Sequence, residues 1–324
     1  MSAAAKPETL TYAQAACLAL QEAMRADPNV VALGEDLGRG GIFGQYRGLP
    51  QEFGPERIID TPISEATIMG AAVGMALAGL RPVVEMRVVD FALCAIDELV
   101  NQAAKNRFMF GGQGRVPLVA RMPIGLWGAS AAQHSQSLEA WFAHIPGLAV
   151  VAPSTPADNY GLLKASLASG DPVVYMEHKE LWGMEGEVQA GNEVPLGKAR
   201  IAQAGKDLTI VTWSRSFHDC VAALPALAKE SVSVELIDLR TIWPWDRETV
   251  LESCANTGQL LVVHEAVQVG GFGAEIAATV AEELGIRVRR LGAPRIPAGY
   301  AQPLEDESRV GAAKIVVAVK SFLA

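Results

Sequence analysis

The chain has 324 residues, half of them hydrophobic, with 31 glycines, 18 prolines and a formal net charge of −9. That length fits two domains or one large α/β unit, and the hydrophobic content argues against disorder. The acidic balance and the absence of any basic run argue against a nucleic-acid scaffold or a polybasic membrane patch. The N-terminus, MSAAAKPETL, lacks the apolar centre of a signal peptide. No stretch of about 18 purely apolar residues suggests a spanning helix. A soluble, cytoplasmic protein is expected.

In chain order, VVALGED (30–36) reads as a strand running into an acidic loop, and IID (58–60) as a second short strand. DTPISEATIMGAAVGMALAG (60–79) follows, and from residue 65 to residue 79 its only charge is Glu65. This reads as a buried helix with Ser64 as N-cap, which puts Glu65 in the first turn, where the helix dipole favours an anion. Two roles are open to Glu65 on this pattern. It compensates the dipole at a surface helix end, or it grips a buried ligand nitrogen. RPVVEMRVVDF (81–91) reads as a strand and ALCAIDELVNQAAKNRF (92–108) as an amphipathic helix. VPLVARMP (116–123), LAVVAPS (148–154) and DPVVYMEH (171–178) read as strands, with a helix at 155–170 between the last two. This alternation predicts a parallel sheet covered on both faces.

EGEVQAGNEVPLGKA (185–199) reads as a linker. The alternation then restarts, with strands at 207–213, 232–242, 259–266 and 286–293 and helices near 216–229, 246–254 and 273–284. A second, smaller α/β domain is expected there. The four cysteines, Cys17, Cys94, Cys220 and Cys254, form no CxxC pair and read as reduced, small core residues.

Ligands of open parallel sheets sit beyond the carboxyl ends of the strands. The segments GED, DTPISE and Asp90-Phe91 occupy such positions, as does WGASAAQHSQSLEAWFAHIPG (127–147). His134 lies in that last segment, at the expected start of a helix near Ser135, and is a candidate for acid–base work. A hydrogen-bonded structural histidine is the competing reading. No histidine has the spaced partners of a zinc site. VGGFGAE (269–275) lacks the GxGxxG spacing, GRGGIFG (38–44) lacks GK[ST], and there is no GxSxG elbow. Arg87 and Asp90, charged within a predicted strand, stand out as pocket candidates.

Taken together, ALGEDLGRGGIFGQYRGLPQEFG, ERIIDTPISEATIMGAAVGMALAGLRPVVEM, AAQHSQSLEAWFAHIPGLAVVAPSTPAD, DPVVYMEHKELW, VPLGKA and VELIDLRTIWPWD resemble the β subunit of the thiamine diphosphate-dependent E1 component of 2-oxo acid dehydrogenase complexes. Pyruvate, branched-chain 2-oxo acid and acetoin dehydrogenases share this subunit type. The resemblance covers roughly residues 10–310. It implies a pyrimidine-binding domain over residues 1–190 and a transketolase C-terminal-like domain over 191–324. It implies further that Glu65 hydrogen-bonds a pyrimidine ring nitrogen, that Phe91 stacks on the aminopyrimidine, and that Glu35 belongs to a polar link between active sites. His134 would assist acyl transfer to a lipoyl arm, supported by Gln133 and Ser135.

The family's GDG…Asn segment, which holds Mg²⁺, is absent from this chain. The resemblance therefore implies a separate E1 α subunit that carries the metal, an α2β2 assembly, a lipoyl-bearing E2 partner, and a small 2-oxo acid or acetoin as substrate. A split transketolase-like enzyme without a lipoyl partner is the alternative. The chain departs from the pattern at Ala66-Thr67, Arg87, Val88, Leu126 and Trp127, and a substrate other than plain pyruvate is expected. Ser169 and Asp171 stand where the family's potassium site has Asp and Asn, which leaves a monovalent cation open.

Overall fold

The structure, a computed structural model, describes residues 6–324, so the MSAAA start of the segment read for a leader lies outside the described residues. The chain forms two compact units. Unit one runs to Ile124 and takes in Trp141–Leu196; unit two takes in Gly125–Ala140 and Gly197–Ala324.

Unit one opens with β1 (Glu8–Thr11) and α1 (Tyr12–Ala26). A capping box starts α1: the Gln14 amide donates to Thr11 Oγ1 at 3.2 Å and the Thr11 amide to Gln14 Oε1 at 2.8 Å. At its other end Arg57 donates to the carbonyls of Met24, Asp27 and Val30. There follow β2 (Val30–Gly34), α2 (Leu49–Phe53), β3 (Ile58–Asp60), α3 (Glu65–Leu77), β4 (Arg81–Glu85), α4 (Val89–Ala92), α5 (Ala104–Met109), β5 (Val119–Arg121), α6 (Glu139–Ala143), β6 (Ala149–Val151), α7 (Pro156–Ala168), β7 (Val173–Tyr175) and β8 (Glu185–Val188).

Strands β6-β7-β5-β4-β2-β3 lie side by side in that order, all parallel. Helices α1 and α7 cover one face, with Ala16, Leu20, Leu163 and Leu167 meeting Val30, Val83 and Val173 in the core. The predicted linker is a linker only in part: the boundary between the units falls within it, at Leu196 and Gly197. Its first residues form β8, which pairs antiparallel with β1. The strand read over 81–91 ends at Glu85, because the chain turns into α4. The helix read over 92–108 is broken, with a π-helical stretch at Glu98–Ala103.

Helix α3 departs from the expectation of burial. Ile68, Met69, Ala72, Val73 and Ala76 are buried, but Ala66, Thr67, Ala71, Gly74 and Leu77 are exposed. Its sequence is apolar on every side, so the exposed side could not be read from charge. Ser64 holds the N-cap position but makes no side-chain cap; its hydroxyl bonds the Thr67 hydroxyl at 2.8 Å.

Unit two contains β9 (Arg200–Gln203), β10 (Leu208–Thr212), α8 (Ser214–Lys229), β11 (Val234–Asp238), β12 (Thr241–Trp243), α9 (Arg247–Thr257), β13 (Gln259–Val267), α10 (Gly273–Leu284), β14 (Arg287–Ala293), α11 (Gln302–Ser308) and α12 (Ala312–Leu323). Its sheet order is β14-β13-β10-β11-β9, parallel except for β9. Leu208, Ile210, Leu236 and Leu261 pack on Phe217, Leu227, Ile315 and Val319 of α8 and α12. Thr209, on the opposite face, bonds Ser253 and Thr257 of α9 at 2.7 Å each.

Of the cysteines, Cys220 and Cys254 are buried as expected, but Cys17 is half-buried and Cys94 is exposed. Among the described residues, no helix is long and apolar enough to cross a membrane.

The glycines of VGGFGAE serve packing. His264 is fully buried, stacks on Trp213 with ring centroids 5.2 Å apart, and is pushed down to about 4 by burial. A Cβ on Gly273 would lie 2.7 Å from His264 Nε2, and one on Gly271 would lie 2.7 Å from Cε1. Gly273→Ala should therefore lower stability by about 1–3 kcal/mol through overpacking. A urea titration checks this, and an unchanged midpoint would mean that the ring moves aside freely.

Candidate active site

The carboxyl edge of the first sheet is built from one row of paired residues. Asp60 lies opposite Gly34, Gly34 opposite Glu85, Glu85 opposite Arg121, and Arg121 opposite Tyr175. A strand buried on both faces is apolar along its length, and here the polar residues collect at the end where such sheets bind ligands. Gly34 permits the close approach of β2 to β4, since a Cβ there would lie 2.5 Å from the Glu85 carbonyl oxygen.

Directly after β2 come Glu35, half-buried, and Asp36, which adopts a left-handed φ of 60°. Aspartate tolerates that conformation better than most residues. The turn is held on three sides. The Leu37 amide donates to Asp60 Oδ1 at 2.9 Å, the Gly41 amide to the Asp36 carbonyl at 3.1 Å, and Arg87 Nη1 to Asp36 Oδ2 at 2.6 Å.

Glu65 is half-buried at the first position of α3. It lies within electrostatic range of Glu35. Burial, then the Glu65 charge, then Asp36 push the Glu35 carboxyl up, against the opposing pull of Arg87. Phe91 is half-buried in α4, whose turn is closed by the Phe91 amide donating to the Val88 carbonyl at 3.1 Å. Of the residues singled out in the sequence, Glu35, Glu65 and Phe91 thus all belong to the carboxyl edge of unit one. That edge therefore holds a half-buried carboxylate and a half-buried aromatic side chain.

His134 belongs to unit two. It is exposed, in a bend. The helix expected from Ser135 does not form. Residues 135–138 are irregular, the Gln136 carbonyl accepts the Gly125 amide at 3.0 Å, and α6 starts only at Glu139. The segment is pinned instead by acids. The Leu126 amide donates to Glu265 Oε1 at 2.8 Å, the Ala129 amide to Glu305 Oε2 at 2.6 Å, and Trp213 Nε1 to Glu139 Oε1 at 3.0 Å. Ala129 and Ala131 hold left-handed φ values of 62° and 59°.

Behind the carboxyl edge lies a buried polar network that the sequence reading missed. Arg121 is fully buried and donates through Nε and Nη2 to Glu177 at 2.8 and 2.9 Å. Its Nη1 is 3.6 Å from Glu85 Oε2. Glu85 also accepts from Tyr46 Oη at 2.9 Å and Gln45 Nε2 at 3.1 Å, and Glu177 accepts from Asn159 Nδ2 at 2.9 Å. One guanidinium faces two carboxylates, and burial with the Glu177 charge pushes Glu85 up to about 7 despite Arg121. The available signal was a charged residue at the end of each apolar strand: VVE, VAR and VVYME.

At the α7–β7 corner, Asp171 pairs with Arg107, and the Ser169 carbonyl accepts Arg81 Nη2 at 2.8 Å. A monovalent cation at that corner would compete with two guanidinium groups. Among the described residues, no group of three or more His, Cys, Asp or Glu could hold a metal ion.

Residues 8–184 match the transketolase pyrimidine-binding domain and residues 197–315 the transketolase C-terminal domain. The chain is 42% identical over 321 residues to the β subunit of an acetoin:2,6-dichlorophenolindophenol oxidoreductase of Cupriavidus necator, covering 94% of this chain and 95% of the relative. It is 40% identical over 321 residues to the 2-oxoisovalerate dehydrogenase β subunit of Bacillus subtilis, covering 97% and 98%. It is 41% identical over 320 residues to the pyruvate dehydrogenase E1 β subunit of Rhizobium meliloti, covering 97% and 70%. A solved structure titled "Split gene transketolase, inactive beta4 tetramer" superposes with a TM-score of 0.80 at 22% identity, over 97% of this chain and 98% of that one, and shares the fold. The chain belongs to the transketolase-like family, among the E1 β subunits of 2-oxo acid and acetoin dehydrogenases. These relatives favour the dehydrogenase reading over the split transketolase.

A group whose native pKa is raised binds its proton more tightly folded than unfolded. The stability that Glu85 contributes therefore falls as pH rises from 4.5 towards about 7. Glu85→Gln should flatten that limb, so the difference in unfolding midpoint moves in the variant's favour as pH crosses the window. Parallel pH–stability curves would remove Glu85 as the titrating group.

Proposed function

We propose that this chain is the β subunit of a thiamine diphosphate-dependent E1 enzyme that decarboxylates a 2-oxo acid, or cleaves acetoin, and passes the acyl unit to a lipoyl group of an E2 acyltransferase. The observation that carries this reading is the placing of Glu65, in the first turn of α3, within electrostatic range of the half-buried Glu35. The coenzyme, when bound, supplies an electron sink for loss of carbon dioxide. In this reading Glu65 holds a pyrimidine ring nitrogen by a charge-assisted hydrogen bond. Phe91 stacks on the ring, Glu35 carries the polar link between sites, and His134 assists transfer to the lipoyl arm. Residues 1–190 form the pyrimidine-binding domain and residues 191–324 the supporting one.

The diphosphate and its Mg²⁺ are assigned to an α subunit in an α2β2 assembly, because the GDG…Asn segment is absent from this sequence. The exposed apolar side of α3, with Ile63 exposed just before it, suits a covering partner. A cytoplasmic location fits the same reading.

With the α subunit co-purified, Glu65→Gln should cost about 3 kcal/mol or more of barrier, as loss of a pivotal electrostatic contact does. His134→Ala should depress lipoyl acylation more than decarboxylation measured with an artificial acceptor. Full retained activity of the Glu65 variant would reduce this chain to a scaffold. The departures from the family pattern at Arg87, Val88, Leu126 and Trp127 point in this reading to a substrate other than plain pyruvate. Turnover of pyruvate against branched 2-oxo acids and acetoin tests this, and a clear pyruvate preference would refute it.

A further inference from the structure

We propose that Arg87 is a positioning residue for this site: ion-paired to Asp36, it fixes the Glu35–Asp36 turn and brings a guanidinium to bear on the Glu35 carboxylate. This rests on the E1 reading above for its catalytic consequence, though not for its electrostatics.

The geometry follows from register. Gly34 and Glu85 are paired, so residues 35–36 and 86–87 leave the sheet side by side. Arg87 spans from one exit to the other and bonds Asp36 at 2.6 Å. The turn it reaches needs an anchor, because Asp36 sits in the left-handed region without being glycine. Three acids meet there, Glu35 and Asp36 on the turn and Glu65 on α3, with Asp60 of β3 holding the Leu37 amide and Glu85 closing β4 in its own buried network. The cations are Arg87 and, 3.7 Å from the other Asp36 oxygen, the largely exposed Arg39. Of these, Arg87 is the one that acts on Glu35, opposing burial and the Glu65 charge.

Arg87 thus acts on one of the two carboxylates: burial and the Glu65 charge push the Glu35 carboxyl up, and the guanidinium pulls it back towards the ionised form. The ion pair is part-exposed, with 41% of the Arg87 and 31% of the Asp36 side-chain surface accessible, so its effect is bounded by that of surface pairs.

The test is a pH titration of the carboxyl carbons in chain selectively labelled at glutamate, with the Glu35 signal assigned by its loss in Glu35→Gln. In Arg87→Gln the Glu35 midpoint should move up by about half a pH unit, and in Arg87→Lys it should return towards wild type. An unshifted midpoint in Arg87→Gln overturns the proposal. In the assembled enzyme, the acidic limb of kcat/KM should shift upward in Arg87→Gln with the same sign. If Glu35 moves while that limb does not, Arg87 is an electrostatic neighbour without a part in the reaction and the proposal fails. If the wild-type assembly shows no thiamine diphosphate-dependent turnover, it is the E1 reading that fails, and the titration still decides the electrostatics.

Discussion

A single guanidinium organises the first sheet. Arg121 ends β5 with no access to solvent, and its two neighbours in the sheet, β4 and β7, each supply a carboxylate at or just past their ends. A buried cation of this size survives only when its donors are met, and the bidentate bond to Glu177 meets two of them. The second carboxylate, Glu85, is then in excess, and burial together with the Glu177 charge pushes it up to about 7. Tyr46 and Gln45 bring the loop before α2 onto Glu85, and Asn159 brings α7 onto Glu177, with its amide reaching the Tyr12 carbonyl of α1. Four parts of unit one are thereby fixed to one point behind its carboxyl edge.

That rigid backing allows the edge itself to be strained and charged. Asp36 holds a left-handed turn, Glu35 and Glu65 repel each other, and α3 begins with an acid and no side-chain cap. Each of these is a local cost borne by the framework behind it, the usual arrangement where a fold carries chemistry.

Much of this was legible beforehand. The strand–helix alternation placed both sheets, since apolar runs such as VVALG and LTIVT bounded by turn residues have few other solutions. The carboxyl-edge rule pointed to the segments GED, DTPISE and Asp90-Phe91, while the choice of Glu35, Glu65 and Phe91 within them came from the family resemblance. Three things were not legible. The open side of α3 carries no polar signal, because Ala, Gly and Thr pack on either side of a boundary. The pairing of β1 with β8 joins segments far apart in sequence and was masked by polar residues that resembled a linker. The irregular path of the 125–138 segment is held by hydrogen bonds, Gly125 to Gln136, Leu126 to Glu265 and Ala129 to Glu305, none of which local propensity encodes.

The sixteen residues from Gly125 to Ala140 are grouped with unit two although they are translated within unit one. Synthesis runs from the N-terminus, and domains fold as units when their chain is available. The acids that pin this insert, Glu265 and Glu305, lie far downstream of it. During translation the bonds of Leu126 to Glu265 and of Ala129 to Glu305 wait until nearly the whole polypeptide has left the ribosome. The same order of events makes a clean genetic cut between the units unavailable. A fragment beginning at Gly197 would lack the strand of chain that its own glutamates hold, and one ending at Leu196 would carry that strand with nothing to receive it.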